Sequence, residues 1–195
     1  MLVWINLMVL FFSTILLTTF YILSVGPAAR EKIIGPTAYS ICAKYRKISG
    51  MFKGVITVNM VLFSIYPLPE PGPAHFPWPW WVSNLIGLAI GIPAFTLMMI
   101  SEKHAGEEVL TPKKEHGRYG RIYRKIHHPQ AAGEVWLFPA IALLLHSPFL
   151  VIFSLVYFPC FLLFCWAEDK DLILRFGDPI VEYIRNTPAF LPKRD

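Results

Sequence analysis

Four stretches of this sequence carry no charged side chain: residues 2 to 24, 55 to 65, 71 to 100 and 135 to 167. That pattern leaves few folding options, because a helix of about 20 apolar residues is what crosses a hydrocarbon layer. Composition agrees, since 55% of the 195 residues are hydrophobic and only 16% are charged, a balance foreign to soluble domains. The expected fold is all-α and polytopic, a single integral membrane domain over residues 1–195. Three N-terminal spans would occupy 1–100, and a basic loop, a helical hairpin and a tail would occupy 101–195.

The first apolar segment lacks a basic start and is too long for a signal-peptide core, so it reads as a retained span. All 18 Lys and Arg residues fall between Arg30 and Lys53, Lys103 and Lys125, or Lys170 and Arg194. The positive-inside rule assigns these three segments to the cytoplasm, and the N-terminus and the loop from Pro67 to Pro79 to the outside or lumen. An odd number of crossings follows. Five satisfy it, at about 2–24, 51–68, 80–100, 132–146 and 149–167, with the C-terminus cytoplasmic. Trp4, Trp78, Trp80 and Trp81 then fall at outer ends and Trp136 and Trp166 at inner ends, where indole rings favour the interface. The net charge of +5 is accounted for by orientation and contact with membrane lipids, without nucleic acid. Cys42, Cys160 and Cys165 suggest no disulfide framework.

Pro93, Pro139 and Pro159 lie inside expected spans and predict kinks, either absorbed by neighbouring helices or opening a cavity between them. The segment 67–81, rich in Pro and Trp, reads as a stiff cap with an aromatic anchor. Beyond the fifth span, Leu172, Leu174, Phe176, Ile180, Tyr183 and Ile184 form an amphipathic stripe. Gly177 and Pro179 would break it into two short cytoplasmic helices.

An antiparallel hairpin over 132–167 returns Glu168 and Asp169 to the membrane face that holds Arg124, Lys125, His127 and His128. Opposite charges can meet there, either as a juxtamembrane ion-pair cluster or as the wall of a small pocket. Glu134, just inside a span, is costly unless paired or wet, with snorkelling to the interface the plainer account. A metal site is not expected. His127 and His128, as neighbours on a helix, would point about 100 degrees apart, and His104 and His116 have no ligand spacing. Serine-hydrolase, P-loop and Rossmann fingerprints are absent from the sequence.

In its C-terminal part the sequence resembles the isoprenylcysteine carboxyl methyltransferase and phospholipid methyltransferase superfamily of membrane enzymes. The marks are Tyr123, Ile126, His127, His128, Pro129 and Gly133, then Glu168-Asp169 after the hairpin, then Phe176-Gly177, Tyr183 and Pro192. The resemblance implies S-adenosylmethionine held by the hairpin base and tail, and a lipophilic methyl acceptor such as an isoprenylcysteine-like carboxylate, a phospholipid amine or a small thiol. Carried over, His127 and Glu168 are the candidate catalytic groups. Tyr123, His128, Pro129, Gly133, Glu134, Glu168, Asp169 and Tyr183 are the candidate cofactor contacts. Arg124, Lys125 or a histidine would meet the cofactor carboxylate, and Tyr183, Trp136 or Trp166 its adenine or sulfonium. This chain departs from the superfamily pattern at His127 for Arg, Ala131 for Tyr, Asp169 for Glu and Ile180 for Tyr.

Two other readings compete. A sterol-reductase-like enzyme would use NADPH and seat its 2′-phosphate on Lys113, Lys114, Arg118 and Arg121, residues that orientation charge also accounts for. A non-catalytic membrane scaffold would need neither cofactor.

Overall fold

The computed structural model describes residues 2–65, 74–112 and 120–192, and every regular element among them is helical. The first part of the proline-rich cap, and Lys113, Lys114, His116 and Arg118, lie outside the described residues.

The longest charge-free start of the chain forms helix α1, Leu2–Ser24, the span expected there. A short α2, Pro27–Ile34, opens on a proline and ends at Gly35, whose φ of 70° few other residues adopt. The next helix, α3, covers Thr37–Ile65 and begins well before the expected start near residue 51. Lys44, Arg46, Lys47 and Lys53 lower hydropathy without opposing helix, so a charged helix runs directly into the apolar one. Similarly α4, Trp80–Ala105, continues past Ile100, where the charge-free run ends.

The hairpin starts with α5, Pro129–Leu144, and returns through α6, Pro148–Ser154, and α7, Tyr157–Phe176. The expected fifth span is therefore interrupted near Leu155. The tail also differs from the expected pair of helices. Residues up to Phe176 simply extend α7, Gly177 turns the chain at φ 66°, and one helix, α8 at Asp178–Asn186, follows.

Four segments are long and apolar enough to cross a membrane: Leu2–Ser24, Thr37–Ile65, Trp80–Ala105 and the combined return arm Pro148–Phe176. At 16 residues α5 is only about 24 Å long, short of the ~30 Å hydrocarbon layer. The outer faces suit lipid: Phe11, Phe12, Leu85, Ile92, Phe95 and Leu162 are all more than half exposed. Small polar groups turn inward instead, among them Ser13, Thr14, Ser49 and Asn59. The chain is an all-helical, polytopic membrane protein.

Two antiparallel pairs and a helix parallel to α1 build the bundle. In the first pair α1 lies against α3, with Asn6 donating to the Asn59 carbonyl at 3.3 Å near one end and Ser49 to the Leu17 carbonyl at 3.3 Å near the other. Against α1 runs α7, tied by Thr14 and Tyr157 hydroxyls 3.0 Å apart. Around them Leu10, Leu17, Ile56, Phe63, Phe138 and Phe161 close the core.

The second pair, α4 and α5, comes together over small residues. A Cβ added to Gly133 would lie 2.5 Å from the Ala94 carbonyl oxygen and 2.8 Å from the Met98 nitrogen, and one on Gly87 would lie 3.0 Å from the Ala140 oxygen. Backbone rather than flexible side chain blocks the space, so this is close helix approach of the small-residue kind. Gly133→Ala is expected to lower unfolding stability by about 1–3 kcal/mol through overpacking. Gly54→Ala, where nothing lies within 4 Å, should be neutral or stabilising by up to about 1 kcal/mol. Denaturant titration of the two variants in detergent checks the contrast, and equal responses would contradict the close packing.

Candidate functional site

At one end of the bundle the ends of α1 and α7, the charged part of α3 and the start of α5 converge on Glu168. Its Oε1 accepts a 2.7 Å hydrogen bond from the Tyr21 hydroxyl and lies 3.9 Å from Arg46 Nη2, while Oε2 is 3.7 Å from His128 Nδ1. Arg46 also sits over the Tyr21 ring, 5.6 Å from its centroid, and Tyr21 stacks on Phe164 at 4.1 Å. Aromatic rings thus flank a carboxylate that stays 28% exposed, so its polar contacts are only partly screened by water.

The expected meeting of the histidines with the acids after α7 is present. His127 Nε2 and His128 Nε2 each stand 3.0 Å from Asp169 Oδ1. The two residues are not helical, however. They precede α5, and His128 has φ −116° and ψ 61°. Instead of diverging by 100 degrees, their rings stack with centroids 4.0 Å apart and planes 27° from parallel. Glu134 is buried and ion-paired with Lys53 of α3, so pairing across helices, not snorkelling, accounts for an acid inside α5.

The tail closes over this end. The backbone N–H groups of His127 and His128 donate to the carbonyls of Pro188 and Ala189, both at 2.9 Å, and the Tyr183 hydroxyl donates to the Tyr123 carbonyl at 2.6 Å. Tyr183 meets the His127 ring edge-on at 5.1 Å. Burial pushes the Tyr183 phenol up to about 12, with the Asp169 charge adding to the shift.

Beneath the tail lies a cavity of about 140 Å³. Of the expected site residues, Tyr123, His127, His128, Pro129, Glu134, Glu168 and Tyr183 line it. Asp169 stands behind the histidines, outside the lining, and Gly133 faces α4 instead. Arg124 and Lys125 are exposed, and the cations on the cavity wall are Arg46 and Arg175. Trp136 and Trp166 are also outward, 46% and 56% exposed, with Lys170 lying 3.5 Å over the Trp166 ring. Tyr21, Phe161, Phe164 and Phe176 supply the aromatic wall in their place.

Sequence reasoning missed the contribution of the N-terminal half: Tyr21, Arg46 and Lys53. One signal was available. Tyr21 lies near the end of a charge-free run, where a phenol reaches the polar end of the bundle. Asp171 and Arg175, one turn apart on α7, join the same end, with Asp171 Oδ1 accepting from the Ala28 N–H at 2.9 Å. Of the basic cluster considered for a nucleotide phosphate, Arg121 alone is described. It is exposed, with Nη1 3.5 Å from His104 Nε2.

The chain matches no protein-family model, no curated protein and no solved structure. What fold and site define is therefore a class: a polytopic membrane protein with a charge-bearing cavity at one end of its bundle, lined in part by its C-terminal helix.

The tail hydrogen bond yields a pH prediction. Because the folded phenol of Tyr183 holds its proton above the ordinary value of 10.0, the folded state binds more protons than the unfolded state between pH 10 and about 12. Its stabilising contribution is complete below pH 10 and is lost as pH rises through about 12. Limited proteolysis after Gly177 should accelerate across that window in the parent chain. Tyr183→Phe should be more labile at neutral pH, by about 1–2 kcal/mol of opening free energy, with the Tyr183-dependent part of the alkaline acceleration removed.

Proposed function

We propose that this protein is an integral membrane methyltransferase that uses S-adenosylmethionine and acts on a lipophilic acceptor. The observation that carries the reading is the convergence of Glu168, Arg46, the two histidines and Tyr183 on one cavity under the tail. The order of motifs along the chain, with its resemblance to the isoprenylcysteine and phospholipid methyltransferases, supports it further.

The donor set suits the cofactor. A carboxylate has Arg46 and Arg175 to meet, an ammonium or ribose diol has Glu168 and Asp171, and adenine or sulfonium has Tyr21, Phe164 and Tyr183. The volume of about 140 Å³ is below the ~300 Å³ at which small-molecule sites begin. Ile180 and Tyr183 of α8 line the cavity, so α8 is the cover that must lift, and the Tyr183 hydrogen bond to the Tyr123 carbonyl is what lifting breaks.

The cofactor would supply an electrophilic methyl group, and the protein's task is alignment and exclusion of water. A carboxylate acceptor needs no base. An amine or thiol must lose a proton, for which His127 and Glu168 are placed on the cavity wall. The acceptor enters from the bilayer between helices whose outward faces are apolar. In this reading α5 is a fifth crossing, with the N-terminus outside or lumenal and the cavity cytoplasmic, as the distribution of Lys and Arg favours.

Purified chain in lipid nanodiscs should bind isotope-labelled S-adenosylmethionine and, with membrane extract, yield a methylated lipid detectable by mass spectrometry. Glu168→Gln keeps an acceptor for Tyr21 but removes the charge, and should weaken binding about tenfold or more, the order expected of a charge-assisted contact. Failure of the parent chain to bind the cofactor, or equal binding by a folded Glu168→Gln variant, would overturn the assignment.

A further inference from the structure

His127, His128 and Asp169 offer three ligand atoms that all lie within 4.8 Å of one another. We propose that they form a binding site for a divalent first-row transition cation, with zinc the leading candidate. The proposal does not depend on the methyltransferase reading.

Convergence of buried ligand atoms is the main argument. His127 Nε2, His128 Nε2 and Asp169 Oδ1 are each shielded from solvent, and both nitrogens crowd that one oxygen at 3.0 Å. Ligand atoms about 2.0–2.2 Å from a shared ion are separated by roughly 2.8–3.6 Å for bond angles between 90 and 109 degrees. An imidazole lone pair aimed at that ion points about 35–45 degrees away from the neighbouring ligand atom, by the same triangle. Separations near 3 Å among buried imidazole and carboxylate atoms fit a coordination site. The histidine side chains are 4% and 7% exposed and share a single carboxylate oxygen, so an ion among the three atoms would satisfy both rings together.

The surroundings fix the ligands in place. Backbone bonds to Pro188 and Ala189 hold the histidine pair out of helix, and the ring stack points both Nε2 atoms to one side. The other nitrogen of His128 faces Glu168, placing a carboxylate behind a ligating imidazole. Two imidazoles and one carboxylate suit zinc and its neighbours rather than calcium or magnesium, which favour all-oxygen shells. Three protein ligands leave a fourth position for water or another ligand.

The test uses the full-length, untagged chain in nanodiscs, stripped with chelator, reloaded with zinc or cobalt and counted by mass spectrometry without any cofactor present. We expect one ion per chain, a cobalt visible spectrum carrying nitrogen and oxygen ligation, and a zinc-dependent rise in melting temperature. Asp169→Asn and His127→Gln should each lower affinity at least tenfold, whereas His104→Gln and His146→Gln, outside the cluster, should load normally. Circular dichroism confirms that each variant is folded. Absence of stoichiometric metal in the parent chain overturns the proposal, as does undiminished loading when Asp169 is replaced. Because these measurements omit S-adenosylmethionine, a negative cofactor-binding result leaves them unaffected, and the reverse also holds.

Discussion

Carboxylates placed among apolar helices are the constraint on which this structure turns. Each must have a partner, since an ionised acid out of water is several kcal/mol uphill. The chain meets this by drawing partners from different elements: Tyr21 of α1 and Arg46 of α3 for Glu168, Lys53 of α3 for Glu134, the histidine loop for Asp169, and the start of α2 for Asp171. Every such contact links segments far apart in sequence. Lipid gives little drive for helix association, so these pairs, with close packing, specify how the bundle ends are arranged. The polar end is therefore structural before it is functional.

The opposite requirement governs α4 and α5. They carry few charges, and their contact rests on Gly87 and Gly133 allowing backbone to approach backbone, with Gly91 against the Ala140 methyl. Gly133 belongs to the motif that suggested a cofactor contact, yet it faces α4. A glycine inside a functional motif can thus serve to seat the helix that carries the neighbouring ligands. Once α5 is set that closely, His127 and His128 at its entrance are brought within reach of α7.

Legibility followed the kind of signal involved. A charge-free run such as 2–24 names its own boundaries, and α1 has them. The span near residue 51 was read short because hydropathy sees Lys44 to Lys53 as the end of a membrane segment, whereas a helix has no reason to stop there. The return arm was read as one span with a kink expected from Pro159, and the break falls at Leu155, whose carbonyl is the one that Pro159, in the first turn of α7, has no N–H to bond. The meeting of His127 and His128 with Glu168 and Asp169 was readable from topology alone. Their ring geometry was not, since it depends on the tail bonding to their backbone. Nor could the partners Tyr21 and Arg46 be assigned, because which face α1 and α3 turn toward α7 is settled by packing across the whole bundle.

That tail gives the site a shared point of control. Its two backbone bonds hold His127 and His128 stacked toward Asp169, and its Tyr183 lines the cavity beside them. Lifting the cover to admit a molecule larger than the present 140 Å³ therefore releases the histidine loop as well. An ion at the triad would resist that release, because it would fasten the loop to α7 directly, in parallel with the tail. With an ion at the proposed triad, access to the cavity and occupancy of the triad would be coupled through the same few residues: by linkage, lifting the tail would weaken the hold on the ion, and the ion would favour the closed tail.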